Sequence, residues 1–170
     1  MTLNEIIKGR YSVRKYSSTP VEEEKITAVL QAGRLAPTAK NSQPQLIYRL
    51  KTQEAKEKIK GLTACHFNAP EIFIMCGNKE RECISTLSRH SFMETDVAIV
   101  QTHMMLKAHE LGLGTCWVGR INPPEVHKAY NLPDNVVVYG LLVMGYPADD
   151  SEPNPRHNER IEIDEFYKEL

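Results

Sequence analysis

The sequence has no long apolar run, no excess of either charge, four cysteines and a single tryptophan. Lys and Arg total 21 against 22 Asp and Glu, and a net charge of −1 excludes the electrostatic footprint that nucleic acids or acidic membranes require. No apolar stretch reaches the roughly 20 residues of a membrane-spanning helix. The opening Met1-Thr2-Leu3-Asn4-Glu5 has neither a basic n-region nor an apolar h-region, so a cytoplasmic protein without a secretory signal is expected. Cys65, Cys76, Cys83 and Cys116 form no C-x-x-C pair and match no zinc or iron–sulfur spacing. Even with His66 and His90 near two of them, they read as small buried hydrophobes, and no metal site is expected. A nucleophile elbow, a P-loop and an HExxH motif are all missing, so no side chain is assigned as a catalytic acid, base or nucleophile.

What is present is an ordinary globular composition, 41% hydrophobic and 25% charged, with mass for one domain over residues 1–170. Thr2-x-x-Glu5 is a capping box that opens a short helix ending at Gly9. Thr19-Pro20-Val21-Glu22 predicts a second helix start, with Thr19 as cap and an apolar face of Ile26, Val29, Leu30, Gly33 and Leu35. Pro37 stops it. Strands are expected over 45–50, 71–76, 115–119 and 136–145, the last being the most apolar. A charged helix is expected over 52–60, a long one over 91–111 with Val97, Val100, Met104, Met105 and Ala108 on its core face, and another start at Asn122-Pro123-Pro124-Glu125. Residues 77–92 are polar without a clear period, and 161–170 reads as a short amphipathic tail. This order implies an α+β fold rather than regular βαβ alternation.

Four stretches carry groups suited to binding. In Ala36-Pro37-Thr38-Ala39-Lys40-Asn41-Ser42-Gln43-Pro44, two prolines stiffen a run of hydroxyl and amide side chains, which reads as a cradle for a polar, planar ligand. An extended Arg10-Tyr11-Ser12-Val13-Arg14 turns Arg10, Ser12 and Arg14 to one side, where two guanidiniums and a hydroxyl suit a phosphate. On this feature alone a solvated basic face is the more economical reading. Glycines around Gly112-Leu113-Gly114-Thr115-Cys116-Trp117-Val118-Gly119 permit close approach to backbone N–H groups, with Trp117 itself reading as core. Finally, Asn154-Pro155-Arg156-His157 and Arg160 place a basic pair in a proline-held loop. Such groups bind more readily than they transfer protons, as expected where a cofactor carries the chemistry.

Taken in order, these stretches resemble the FMN-dependent nitroreductase family. Arg10-x-Ser12-x-Arg14 resembles its R-x-S-x-R/K signature, and Ala36-Pro37-Thr38-Ala39-x-Asn41-x-Gln43-Pro44 its A-P-S-A-x-N-x-Q-P. The Gly112–Gly119 stretch, the Val-rich strand and Gly145-Tyr146-Pro147 complete the likeness, which runs from about residue 3 to residue 160. The resemblance implies a mixed or antiparallel central sheet flanked by helices and an intertwined homodimer with one FMN at each of two interface sites. Arg10, Ser12 and Arg14 would hold the phosphate and ribityl end, joined by Arg156, with Arg160 as the alternative. Pro37, Thr38, Ala39 and Asn41 would reach the flavin of the partner subunit. The backbone around Val118 and Gly119 would lie against the ring, with an N–H aimed at N5, and Arg120 or Lys40 would place charge near the pyrimidine end. The implied activity is a two-step NAD(P)H oxidoreductase passing hydride through flavin N5 to a nitroaromatic or quinone. A flavoenzyme of a dedicated metabolite and a non-catalytic FMN storage or sensing protein stand as alternatives. The chain departs from the pattern at Gln45, where many members have Trp, at Thr38, where Ser is commoner, and in its short 77–92 region.

Overall fold

The computed structural model describes all 170 residues. Helix α1 (Leu3–Gly9) is capped as expected: Thr2 Oγ1 accepts from Glu5 N at 3.3 Å and Glu5 Oε2 accepts from Thr2 N at 2.6 Å. Helix α2 (Glu23–Arg34) starts later than the Thr19 signal suggests, and Glu22, its N-cap, makes no side-chain cap bond. Two competing contacts explain the delay. Val21 is drawn into the core at 7% exposure, and the Glu22 carboxylate accepts from the Tyr146 hydroxyl at 2.8 Å. Thr19 instead shares a hydrogen bond with Ser17. Leu35 falls past the helix end and is 75% exposed, so it does not belong to the buried face made by Ile26, Val29 and Gly33.

Four strands follow: β1 (Gln45–Arg49), β2 (Glu71–Asn78), β3 (Gly114–Val118) and β4 (Val136–Gly145). They form one sheet in the order β1-β2-β4-β3, antiparallel at every step, which leaves β1 and β3 as opposite edges. Period-2 alternation divides the sheet's side chains between two cores. Phe73, Met75, Leu142 and Met144 meet α2 and the long helix α4 (Met93–Glu110) on one face. Ile72, Ile74, Cys76, Leu141 and Val143 meet Ile59 of α3 (Gln53–Lys60) and Val126 of α5 (Pro123–Ala129) on the other. The α4 stripe of Val97, Val100, Met104, Met105 and Ala108 is buried as its spacing implies. Close approach of α2 to α4 depends on Gly33, where an added Cβ would lie 2.8 Å from Met104 Cγ.

Beyond Asn158 the chain loses its hold on the body. Hydrogen bonds made by Glu159–Leu170, including the single-turn α6 (Ile163–Phe166), reach no further back than Arg156. Ile161, Ile163, Phe166, Tyr167 and Leu170 are all more than half exposed. No helix is long and apolar enough to cross a membrane.

Candidate functional site

The segment that follows α1 is stitched to the β3 edge. Ser12 pairs with Thr115 in a parallel bridge, and Val13 N donates to Thr115 O at 2.9 Å. Val13 is 1% exposed and packs over Gly114, whose missing side chain makes room: a Cβ there would sit 2.4 Å from Val13 Cγ2. Tyr16 closes the bend by donating to Val13 O at 2.8 Å, and burial pushes its phenol pKa upward. On the far side Tyr11 donates to Ser151 O at 3.1 Å, and Lys15 pairs with Asp150 at 2.7 Å.

These ties place Ser12 and Arg14 in a cavity of about 260 Å³ with Lys15, Asp150, Ser151, Glu152 and Asn154, and no hydrophobic side chain lines it. Arg14 Nη1 donates only to Ser12 O, at 3.2 Å, so most of its guanidinium donors are free. Directly beneath lies Cys116, 4% exposed. Burial pushes its thiol up, against the positive charge of Arg14 and a hydrogen bond with Ser12.

Arg10 does not share this cavity. As the C-cap of α1 it lines a separate one of about 200 Å³ with Val13, His109, Gly112, Leu113 and Thr115. Strict alternation places Arg10 with Ser12, but the helix end rotates the first residue away before the extended run begins. Arg156 lies outside both cavities and bonds Glu159. Arg160 is spent on the carbonyls of His157 and Glu159.

At the end of β3, Val118 is buried while Gly119 is exposed, with nothing within 4 Å of where its Cβ would be. Because Thr115 turns its backbone outward to Val13, alternation turns the backbone of Trp117 to the same side. The extended segment has already bent away there, so this stretch of edge has no strand beside it. Trp117 is 40% exposed and is not a core residue.

The Pro37–Pro44 loop is the second wall. Three of the chain's seven non-glycine residues with positive φ lie in it: Lys40 at 51°, Asn41 at 53° and Gln43 at 51°. Left-handed backbone costs an L-residue roughly 1–2 kcal/mol, so this loop is strained and held from outside. Gln43 N donates to Thr38 Oγ1 at 3.1 Å, Asn41 N to Thr38 O at 2.9 Å, and Ala39 N to Asp96 Oδ1 of α4 at 2.8 Å. The buried side-chain polar atoms without a partner are Ser42 Oγ, Gln45 Oε1 and Asp96 Oδ2, all in or against this loop. Asp96 is the functional candidate that motif reading missed; its only signal was a carboxylate one residue before Val97 on the buried face of α4.

The structure does not join the two walls. Gln43 and Gln45 line a cavity of about 300 Å³ with Leu30, Arg34, Ile47 and Arg81, and none of Ser12, Arg14 or Gly119 lies in it. The loop feeds β1 while Ser12 and Arg14 flank β3, so the walls sit on opposite sheet edges. Three interstrand spacings separate them, roughly 14 Å. No group of three or more His, Cys, Asp or Glu side chains is placed to hold a metal.

An antiparallel α+β sheet with helices on both faces carries a guanidinium cavity at one edge and a proline-bracketed amide loop at the other. The chain belongs to the nitroreductase family, whose model matches residues 7–72 and 66–146. An NADH dehydrogenase/NAD(P)H nitroreductase of Methanothermobacter thermautotrophicus is 30% identical over 99% of this chain and 87% of its own length. The FMN reductase [NAD(P)H] of Bacillus subtilis is 30% identical over 91% of this chain and 70% of its own. A crystal structure of a nitroreductase family protein from Clostridium difficile superposes with a TM-score of 0.91 at 35% identity, covering 99% of this chain and 98% of that one.

Proposed function

We propose that this protein is an FMN-dependent NAD(P)H oxidoreductase that works as a homodimer in the cytoplasm, each chain being one FMN-binding domain over residues 1–170. When bound, FMN supplies the redox chemistry, accepting hydride from NAD(P)H and delivering it to a nitroaromatic or quinone acceptor. The observation that carries the reading is the division of the site. A polar cavity in which Arg14 is largely unpaired lies on one edge, and a strained loop that exposes the unbonded Asn41 amide lies on the other.

The chain's own residues fit the cofactor. Ser12 and Arg14 present a hydroxyl and a largely free guanidinium to a phosphate or ribityl chain, and Arg14 would form the bidentate contact. Arg10 would join them only by turning out of its own cavity, and Arg156 only by leaving Glu159, which makes them the weaker half of the set. Gly119 leaves open space for a planar ring, and the outward backbone beside Val118 offers an N–H to it. The charge near the ring would come from Arg120 or Lys40, both exposed.

Pro37, Thr38, Ala39 and Asn41 would complete the site of a second copy, since they are a sheet's width from their own chain's cavity. The exposed apolar arm ending at Leu170 supports pairing, because a monomer gains nothing by presenting Ile161, Ile163, Phe166 and Tyr167 to water. The protein positions the ring and excludes water, and no side chain need transfer a proton.

Purified protein should be yellow, with flavin absorbance at about 450 nm. Anaerobic NADH or NADPH should bleach it, and a nitroaromatic or quinone should restore the colour. Retained flavin that neither nucleotide bleaches would leave a storage or sensing protein in place of an enzyme. Sedimentation should give the mass of two chains.

A further inference from the structure

We propose that Asp96 is the positioning residue of the flavin-facing loop, acting through the amide of Ala39; this rests on the cofactor reading above. Four observations converge on it. Asp96 is 2% exposed, and its Oδ1 accepts from Ala39 N at 2.8 Å, fifty-seven residues away in sequence. That bond is the one side-chain tie between the loop and α4, and it grips the loop immediately before the left-handed pair Lys40 and Asn41. Helix α4 is itself fixed to the sheet, since Gln101 Nε2 donates to Leu141 O at 3.2 Å from within the core.

The fourth observation is energetic. A buried carboxyl group with one oxygen unpartnered is costly, and the packing around the first turn of α4 would accept an apolar residue more cheaply. The negative end of the side chain sits in the first turn of α4, where the helix dipole favours it. So the sheet, α4, Asp96 and the Thr38–Ala39 backbone form one rigid line. It sets where Pro37, Thr38 and Asn41 point, although Asp96 itself touches no ligand.

Two substitutions delete the same bond from opposite ends. D96A removes the acceptor. A39P removes the donor while leaving Asp96 intact, and Thr38 at φ −134°, ψ 157° already has the extended conformation a residue before proline adopts. D96N keeps an acceptor oxygen and serves as the conservative rescue. Apoprotein of each is titrated with FMN by flavin fluorescence, and amide exchange at Ala39 is followed by NMR in the wild type, D96A and D96N.

The expected result is a loss of FMN affinity of about tenfold or more in D96A and in A39P, with D96N within about threefold of wild type. The double variant D96A/A39P should be no worse than either single one, because one interaction cannot be lost twice. Slow exchange at Ala39 should persist in D96N and vanish in D96A. Wild-type affinity in D96A, equal damage in D96N and D96A, or additive losses in the double variant would each overturn the proposal. Should D96A fail to fold, A39P and D96N carry the same comparison. If wild-type protein binds no FMN, it is the cofactor reading that fails, and Ala39 exchange still reports whether Asp96 holds the loop.

Discussion

The two walls of this site are built by opposite strategies. The Arg10–Tyr16 segment is bonded along its length to β3, to β4's continuation at Tyr146–Ala148 and to Ser151, and its free side-chain donors are the guanidiniums of Arg10 and Arg14. The Pro37–Pro44 loop has left-handed residues, three unmet polar atoms around it and a single side-chain anchor on α4. One wall is finished within its own chain; the other is stiff but incomplete. A finished wall suits the phosphate end of a ligand, which demands fixed charge. An incomplete wall suits a surface whose exposed Asn41 amide, unpartnered within the chain, is met when a second molecule arrives.

That contrast can be tested from the finished side first. Gly114→Ala should drive a methyl into Val13 and lift the segment off β3, costing about 2–3 kcal/mol of stability and most FMN binding. A urea midpoint unchanged from wild type would show that the segment is not anchored there. Arg14→Ala leaves the fold intact and should weaken FMN by about 10- to 100-fold through loss of a charge-assisted contact. Equilibrium dialysis against FMN measures it directly, and unchanged retention removes Arg14 from the site.

On the incomplete side the effects are smaller and of mixed sign. Asn41→Leu should lower flavin occupancy of the dimer several-fold, by about 1 kcal/mol, since the amide is lost and leucine tolerates φ 53° poorly. A fully loaded, fully active variant would argue against the loop's role. Lys40→Gly should raise thermal stability slightly, by about 0.5 kcal/mol. It relieves a left-handed residue but frees the unfolded chain. Calorimetry on the apoprotein gives the sign, and a fall in melting temperature would mean the loop is not strained.

Where local chemistry decides structure, the sequence was a good guide. The Thr2–Glu5 box, the charged helix over 52–60, the β4 run and the Met-rich stripe of α4 stand where their residues imply. Errors arose where a distant partner outbid a local signal. Thr19 and Glu22 look like a helix start, but Val21's burial and Tyr146's hydroxyl claim that stretch. Arg10 obeys the end of α1 rather than the alternation of the strand-like run after it. The loop could be read as a cradle from its hydroxyls and amides. Its conformation could not, because Lys40 and Gln43 carry no tendency toward positive φ and acquire it from closure between two prolines. Asp96 was invisible for the same reason: its partner is fifty-seven residues away, and nothing near it in sequence names that partner.

The placement of the two walls on opposite sheet edges has a genetic consequence. If each flavin rests on Ser12 and Arg14 of one chain and on Asn41 of the other, a lesion in either wall spoils only the cleft to which its chain lends that wall. An Arg14→Ala chain paired with an Asn41→Leu chain yields one ruined cleft carrying both lesions and one cleft carrying neither. Two alleles, each weakening flavin binding in the homozygous state, should therefore complement when expressed together. Random pairing restores about a quarter of all clefts.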